Sequence, residues 1–262
     1  DRRRGAVAWR ASGVGRRDAP IVRRGGLASS FWHMLSGRSF AYKPGMTIHL
    51  LAPGARPVGH DLGLVSALHR ALTARGQKPE VWVHRDCPEA DRAALGARVH
   101  FTVSPYRLVS DDPLSGPLDT YLAKNDALAD ELVALPAFGA NDLVVVPTVN
   151  QNQLLGLARW LARLKAGGTA PTVVLMLFVA SGLIRRRDGG WDSDRRVAPF
   201  YRHGFNALAR VGYPRLVLTA PMGPMVEQYR FLSGTEVAGF PYYFPDDNSP
   251  PPPPPDGAPR LV

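Results

Sequence analysis

The chain has 262 residues and a mass of 28.5 kDa, enough for one large domain or two small ones. Apolar residues make up 45% and charged residues 21%, with a mean hydropathy of −0.12, values that exclude a wholly disordered chain and a polytopic membrane protein. The net charge of +10 belongs mostly to one arm: residues 1–45 hold nine Arg and one Lys against two Asp, a balance of +8, and the other 217 residues carry only +2.

That arm is rich in Arg and Gly, with charge clusters at Arg2–Arg4, Arg16–Arg17 and Arg23–Arg24. It reads as a solvated linker or a segment packed on the domain, with an anionic partner, either a membrane surface touched peripherally or nucleic acid, as the alternative. Phe31, Trp32, Met34, Leu35 and Phe40 form an aromatic cluster that is expected to pack, because exposing it is costly. The arm lacks the uninterrupted apolar stretch of a secretory signal. Cys87, the single cysteine, excludes an internal disulfide and a cysteine-based zinc site, and fits a reducing, cytoplasmic setting.

From Met46 onward the chain alternates strand and helix. Met46–Leu51 is an apolar run ended by Ala52-Pro53-Gly54, and Asp61 to Arg75 carries Leu62, Val65, Leu68 and Leu72 at helical spacing up to Gly76. Strands are predicted at Val81–Val83 and Arg98–Val103, then a helix over Asp119–Ala134. Asp142–Val146 is a strand, Gln151–Lys165 a helix, and Thr172–Val179 the most apolar strand of all. A helix over Val197–Val211, a strand at Arg215–Thr219, a helix over Pro221–Phe231 and a short strand at Glu236–Ala238 complete the series. Met222 and Met225 read as core residues of that last helix.

Strands without polar alternation, separated by helices, predict a parallel sheet buried on both faces. With right-handed crossovers this is an α/β, doubly wound, Rossmann-like sheet of about six or seven strands, expected over residues 46–245. Pro250–Pro255 then form a polyproline II spacer of about 19 Å at ~3.1 Å per residue. Pro259-Arg260-Leu261-Val262 reads as the opening of a further strand. Residues 246–262 are therefore expected to be a linker to a second domain.

Most nucleotide signatures are absent. A dinucleotide fingerprint needs Gly-x-Gly-x-x-Gly after the first strand, whereas this loop has Pro53, Gly54, Pro57 and Gly59. The chain has no Gly-Lys-Ser/Thr, no Gly-x-Ser-x-Gly and no His-Glu-x-x-His, so a metal site is not expected. What remains is Gly59-His60-Asp61, between the first strand and its helix, at the sheet edge where ligands gather. Gly59 would let backbone approach a ligand, Asp61 reads as a helix N-cap, and His60 is either a ligand contact or an ordinary loop histidine.

Gly59-His60 followed by "DLGLVSALHRALTARGQKPEVWVHRD" resembles the opening of GT-B glycosyltransferases of the family 4 type. "YPRLVLTAPMGPMVEQYRFLSGTEVAGFPYYFPDD" is similar to the unit that closes their first domain. The likeness covers residues 46–262 in order of elements, although Asp142–Val146 lacks the histidine that members often carry after a central strand. The resemblance implies the acceptor-side half of a retaining sugar transferase with no obligatory metal. Its partner is then a C-terminal GT-B domain of the same parent chain, which holds most of the nucleotide-sugar donor site. No cofactor is expected on this chain itself.

On that resemblance Gly59 approaches the donor phosphates and His60 is the catalytic candidate, touching acceptor or sugar. Asn150 and Asn152 could bind hydroxyls of a sugar or glycan acceptor or simply cap a helix; Ser181 holds a similar place after the next strand. Arg185 and Arg186, with Arg187, could grip an anionic acceptor or lie on a solvated face. His203 reads as surface or core. Two other readings compete: another Rossmann-like module (an epimerase half, a methyltransferase or a nucleotide-binding domain, for which Gly54 and Asp86 are faint signs), and nucleic-acid binding through the arm, against which the near-neutral remainder argues.

Overall fold

Five consecutive apolar or weakly polar residues, Ile48–Ala52, form strand β1, and all five are buried. The computed structural model describes residues 45–57, 60–106, 116–179, 181–193, 197–221 and 223–240. The aromatic cluster, the tail, Gly59 and Met222 fall outside the described residues, as does all of the basic arm except Gly45. In chain order β1 is followed by α1 (Asp61–Thr73), β2 (Glu80–His84), α2 (Glu89–Leu95), β3 (Arg98–Phe101), α3 (Gly116–Val133), β4 (Leu143–Val146), α4 (Gln151–Ala166) and β5 (Thr172–Met176). Then come β6 (Leu183–Arg185), β7 (Trp191–Ser193), α5 (Ala198–Val211), β8 (Leu216–Ala220), α6 (Gly223–Ser233) and β9 (Ala238–Gly239).

Seven strands make one parallel sheet in the order β3-β2-β1-β4-β5-β8-β9. The three runs with the least polar character, β1, β4 and β5, are adjacent at its centre. Side chains alternate between two cores: Leu51, Val144, Val146, Val173 and Leu175 face one, and Leu50, Val145, Val174 and Met176 the other. Leu64, Val65, Leu68 and Leu72 of α1, with Leu95 of α2, seal the second core. The first is covered by α3 to α6 through Leu128, Leu132, Leu154, Leu157, Phe205 and Tyr229. This division follows from right-handed crossovers: the chain steps one way through β1-β2-β3, then crosses back to β4 and continues in the other direction.

The sequence reading placed the sheet correctly and several boundaries not. β5 stops at Met176 although the apolar run goes on to Val179, because the chain turns away into a two-stranded antiparallel hairpin, β6 with β7, that the periodicity did not reveal. Helix α2 was also unforeseen, since Leu95 is its one buried residue. Asp142 lies just before β4, where its carboxylate accepts N–H bonds from Thr47 (3.1 Å) and Gly139 (2.6 Å) and faces His49 Nε2 at 3.4 Å. It ties the amino ends of β1 and β4 together. α3 and α4 approach closely because Gly156 has no side chain: a Cβ there would sit 2.4 Å from the Asn125 carbonyl oxygen.

Candidate functional site

The strand order reverses between β1 and β4, and in open α/β sheets the gap outside the carboxyl ends of such strands is where ligands bind. Three chain segments meet there. After β1 the backbone turns at Pro53-Gly54, with the Ala55 N–H donating to Ala52 O at 3.1 Å, and re-enters as α1 at Asp61. After β3 comes Tyr106. After β4, Thr148 stands in the left-handed region with φ of 57°, a strained conformation for a β-branched residue and one that clusters at ligand sites.

Asp61 joins them. The Tyr106 hydroxyl donates to Asp61 Oδ1 at 3.0 Å and lies 3.3 Å from the Thr148 carbonyl oxygen. The Thr148 hydroxyl also draws on the carboxyl but donates to the Pro147 carbonyl at 2.7 Å. His60 Nε2 is 3.6 Å from Oδ1, and the His60 ring leans on Phe178 at 6.2 Å between centroids. Burial raises the Asp61 carboxyl above its ordinary value, against the opposing pull of Tyr106, His60 and Thr148. Burial likewise pushes the Tyr106 phenol far up, and the Asp61 charge adds to it. At neutral pH Tyr106 is a donor.

Behind Tyr106 lie two more buried phenols. Tyr229 donates to the Val179 carbonyl and lies 3.3 Å from the Tyr201 hydroxyl, so α5 and α6 hold the loop that carries Phe178. On the β2 side Arg56 donates to Ser104 Oγ at 3.0 Å and stands 3.5 Å from Asp86, which bonds His84 Nδ1 through its own N–H.

Comparison with protein families, curated proteins and solved structures finds no match. The chain is a Rossmann-like parallel-sheet domain with flanking helices. Among the described residues no group of three or more His, Cys, Asp or Glu could hold a metal ion, and no helix is long and apolar enough to cross a membrane.

Of the residues singled out from sequence, His60 lies in this cluster, at the N-cap position with no side-chain cap bond; Asp61, expected there, is instead the first helical residue. Gly59 is outside the described residues. Asn150 caps α4: its side chain accepts the Asn152 N–H (2.8 Å) while Gln153 Oε1 accepts the Asn150 N–H (2.8 Å), a full capping box. The Asn152 amide donates to the Pro105 carbonyl at 2.9 Å, pinning the segment that carries Tyr106. Both amides are thus engaged within the protein.

Ser181 is buried and donates to Gln228 of α6 (2.7 Å). Arg185 pairs with Glu227 (2.6 Å) and lies over Trp191; Arg186 forks onto Asp188 across the β6–β7 turn. These arginines brace a hairpin and do not join the Asp61 cluster. His203 contacts the Tyr121 hydroxyl through Nδ1 at 2.9 Å, on the α3–α5 contact. Sequence reasoning missed Tyr106, Thr148 and Phe178, which carry no motif. The one available signal was Asp61 itself, an acid at the ligand edge.

Proposed function

We propose that this chain is the acceptor-side half of a GT-B glycosyltransferase that moves a sugar from a nucleotide-sugar donor with retention of configuration. The observation that carries the reading is the character of the β1/β4 gap. It presents hydrogen-bonding side chains and aromatic faces (His60, Tyr106, Phe178) beside a loop with Pro53 and Pro57, where a dinucleotide site has a glycine cradle for pyrophosphate. Phenol, imidazole and carbonyl groups suit hydroxyls, and flat rings suit the C–H faces of a sugar.

In this reading the donor is held by a second doubly wound domain of the parent chain. Its leaving-group charge is met by helix N-termini and basic residues as the sugar departs. His60, at the edge of the gap, contacts the acceptor or the transferring sugar. A second reading has one observation in its favour: Asp86 follows β2, where nucleotide-binding Rossmann domains place the acid that takes a ribose, although here Arg56 already faces it.

The deciding experiment is a transfer assay on the parent chain with a panel of nucleotide sugars, with the anomeric configuration of the product read by NMR. Turnover with retention supports the proposal. Neither transfer nor donor hydrolysis with any nucleotide sugar, or tight binding of NAD or S-adenosylmethionine, overturns it.

A further inference from the structure

Asp61 has two oxygens in different situations. Oδ1 accepts from Tyr106 and faces His60; Oδ2 is buried and, with the Thr148 hydroxyl turned to the Pro147 carbonyl, has no hydrogen-bond partner among the described residues. Asp61 as a whole is only 3% exposed. A buried acceptor without a donor is costly, and native proteins rarely leave one without a reason. Oδ2 lies where a side chain at position 54 would be, 1.8 Å from a Cβ built on Gly54. The Tyr106 ring closes over the same spot, with Cε2 3.0 Å from that Cβ. Tyr106 is 44% exposed, so the ring that closes over Oδ2 has a solvent side toward which it can turn.

The surroundings restrict what could reach Oδ2 once Tyr106 turns. Arg56, the basic side chain of the β1 loop, is engaged by Ser104 and Asp86, so among the described residues a phosphate at Asp61 would meet a carboxyl group with no free Arg or Lys beside it. An uncharged donor fits. Helix α1 also opens without a side-chain cap from His60, in contrast to the closed capping box of α4, so among the described residues no side chain caps its first-turn N–H groups.

We infer that Asp61 is the specificity-determining residue of the site: its Oδ2 accepts a hydrogen bond from one hydroxyl of a neutral sugar acceptor, with Tyr106 as the side chain that moves aside. The ligand class rests on the glycosyl-transfer reading above; the role of Asp61 is tested independently of it.

Methyl α-glucoside, methyl α-mannoside, their 2-, 3-, 4- and 6-deoxy analogues and glucose 1-phosphate are titrated into this chain and its Asp61→Asn variant by calorimetry. A neutral glycoside should bind, and removing one particular hydroxyl should weaken it about ten- to a hundredfold, as for a hydrogen bond to a charged group. Asp61→Asn should lose the same factor and be indifferent to that deoxygenation. The 13C shift of the Asp61 carboxyl in the wild-type chain, which needs no variant, should move with the parent glycoside and not with the deoxy analogue. Tighter binding of glucose 1-phosphate, equal deoxygenation losses in both proteins, an unmoved carboxyl shift, or no glycoside binding overturns the inference. Sugar transfer by the parent chain with no dependence on Asp61 would remove this inference alone; coupling at Asp61 in a parent chain that transfers no sugar would remove the transferase reading alone.

Discussion

Asp61 occupies the volume that a side chain at position 54 would need: a Cβ on Gly54 falls 1.8 Å from its Oδ2. The two positions are therefore coupled through space. Gly54→Ala should destabilise the domain by about 1–3 kcal/mol, the usual range for overpacking. In the Asp61→Ala background the same change should cost much less. Urea denaturation of the four proteins measures the coupling; strictly additive losses would show that Asp61 does not fill that space.

The pH dependence of stability should separate Asp61 from His84. Burial raises the Asp61 carboxyl above 3.8, so its favourable contribution is complete below 3.8 and disappears as pH rises through the raised value. Asp61→Asn has no such titration, and its stability relative to wild type should improve from acid towards neutral pH. His84 has the opposite sign. Burial lowers it from 6.5, so its contribution is present above 6.5 and lost on acidification through the lowered value. Denaturation midpoints of Asp61→Asn, His84→Gln and wild type across pH should show slopes of opposite direction.

Asp142 accepts two backbone N–H groups and faces His49 at the amino edge of the sheet. Asp142→Ala leaves those N–H groups without their acceptor and should cost about 1.5–3 kcal/mol. Faster amide exchange at Thr47 and Gly139 would locate the damage, and unchanged exchange there would contradict it.

On the glycosyl-transfer reading, His60 should matter for turnover and little for stability. Its side chain is 42% exposed and makes no cap bond, so His60→Ala should leave the melting temperature nearly unchanged. On the glycosyl-transfer reading proposed above, kcat/KM for sugar transfer by the parent chain should fall roughly 10²–10⁴-fold, the range for a positioned proton-transferring or hydrogen-bonding group. His203→Ala, on the α3–α5 contact, should alter kcat/KM by no more than a few-fold. Wild-type activity in the His60 variant would remove its assignment.

How far the fold was legible depended on whether a residue's role is local. Val144, Val145 and Val146 have no polar neighbours in the strand because both faces of β4 are buried, and that pattern is visible in the chain itself. The boundary at Met176 was not visible, since Leu177 remains buried and still donates its N–H to Thr219 after the strand has ended. Trp191-Asp192-Ser193 shows no strand pattern because its hairpin lies outside the main sheet. His60 could be singled out through the loop it occupies, and the structure places it 3.6 Å from Asp61 Oδ1. Tyr106 could not, because it stands 45 residues from Asp61 in sequence and meets it only once β1 and β3 are assembled in one sheet. Asn150 and Asn152 were found for their amides, and the Asn150–Gln153 spacing that makes a capping box was the sign of their packing role.

Because β1 is flanked by β2 on one side and β4 on the other, its second partner lies some 95 residues downstream. On the ribosome, β1 to β3 can pair as soon as they emerge, while the β4-facing side of β1 keeps its backbone groups unpaired until residue 146 has left the tunnel. For about ten seconds at ordinary elongation rates the nascent chain carries an open apolar edge in its middle. Expression limits for this protein are therefore expected to arise during synthesis, with chaperone demand greatest for chains arrested between β3 and β4.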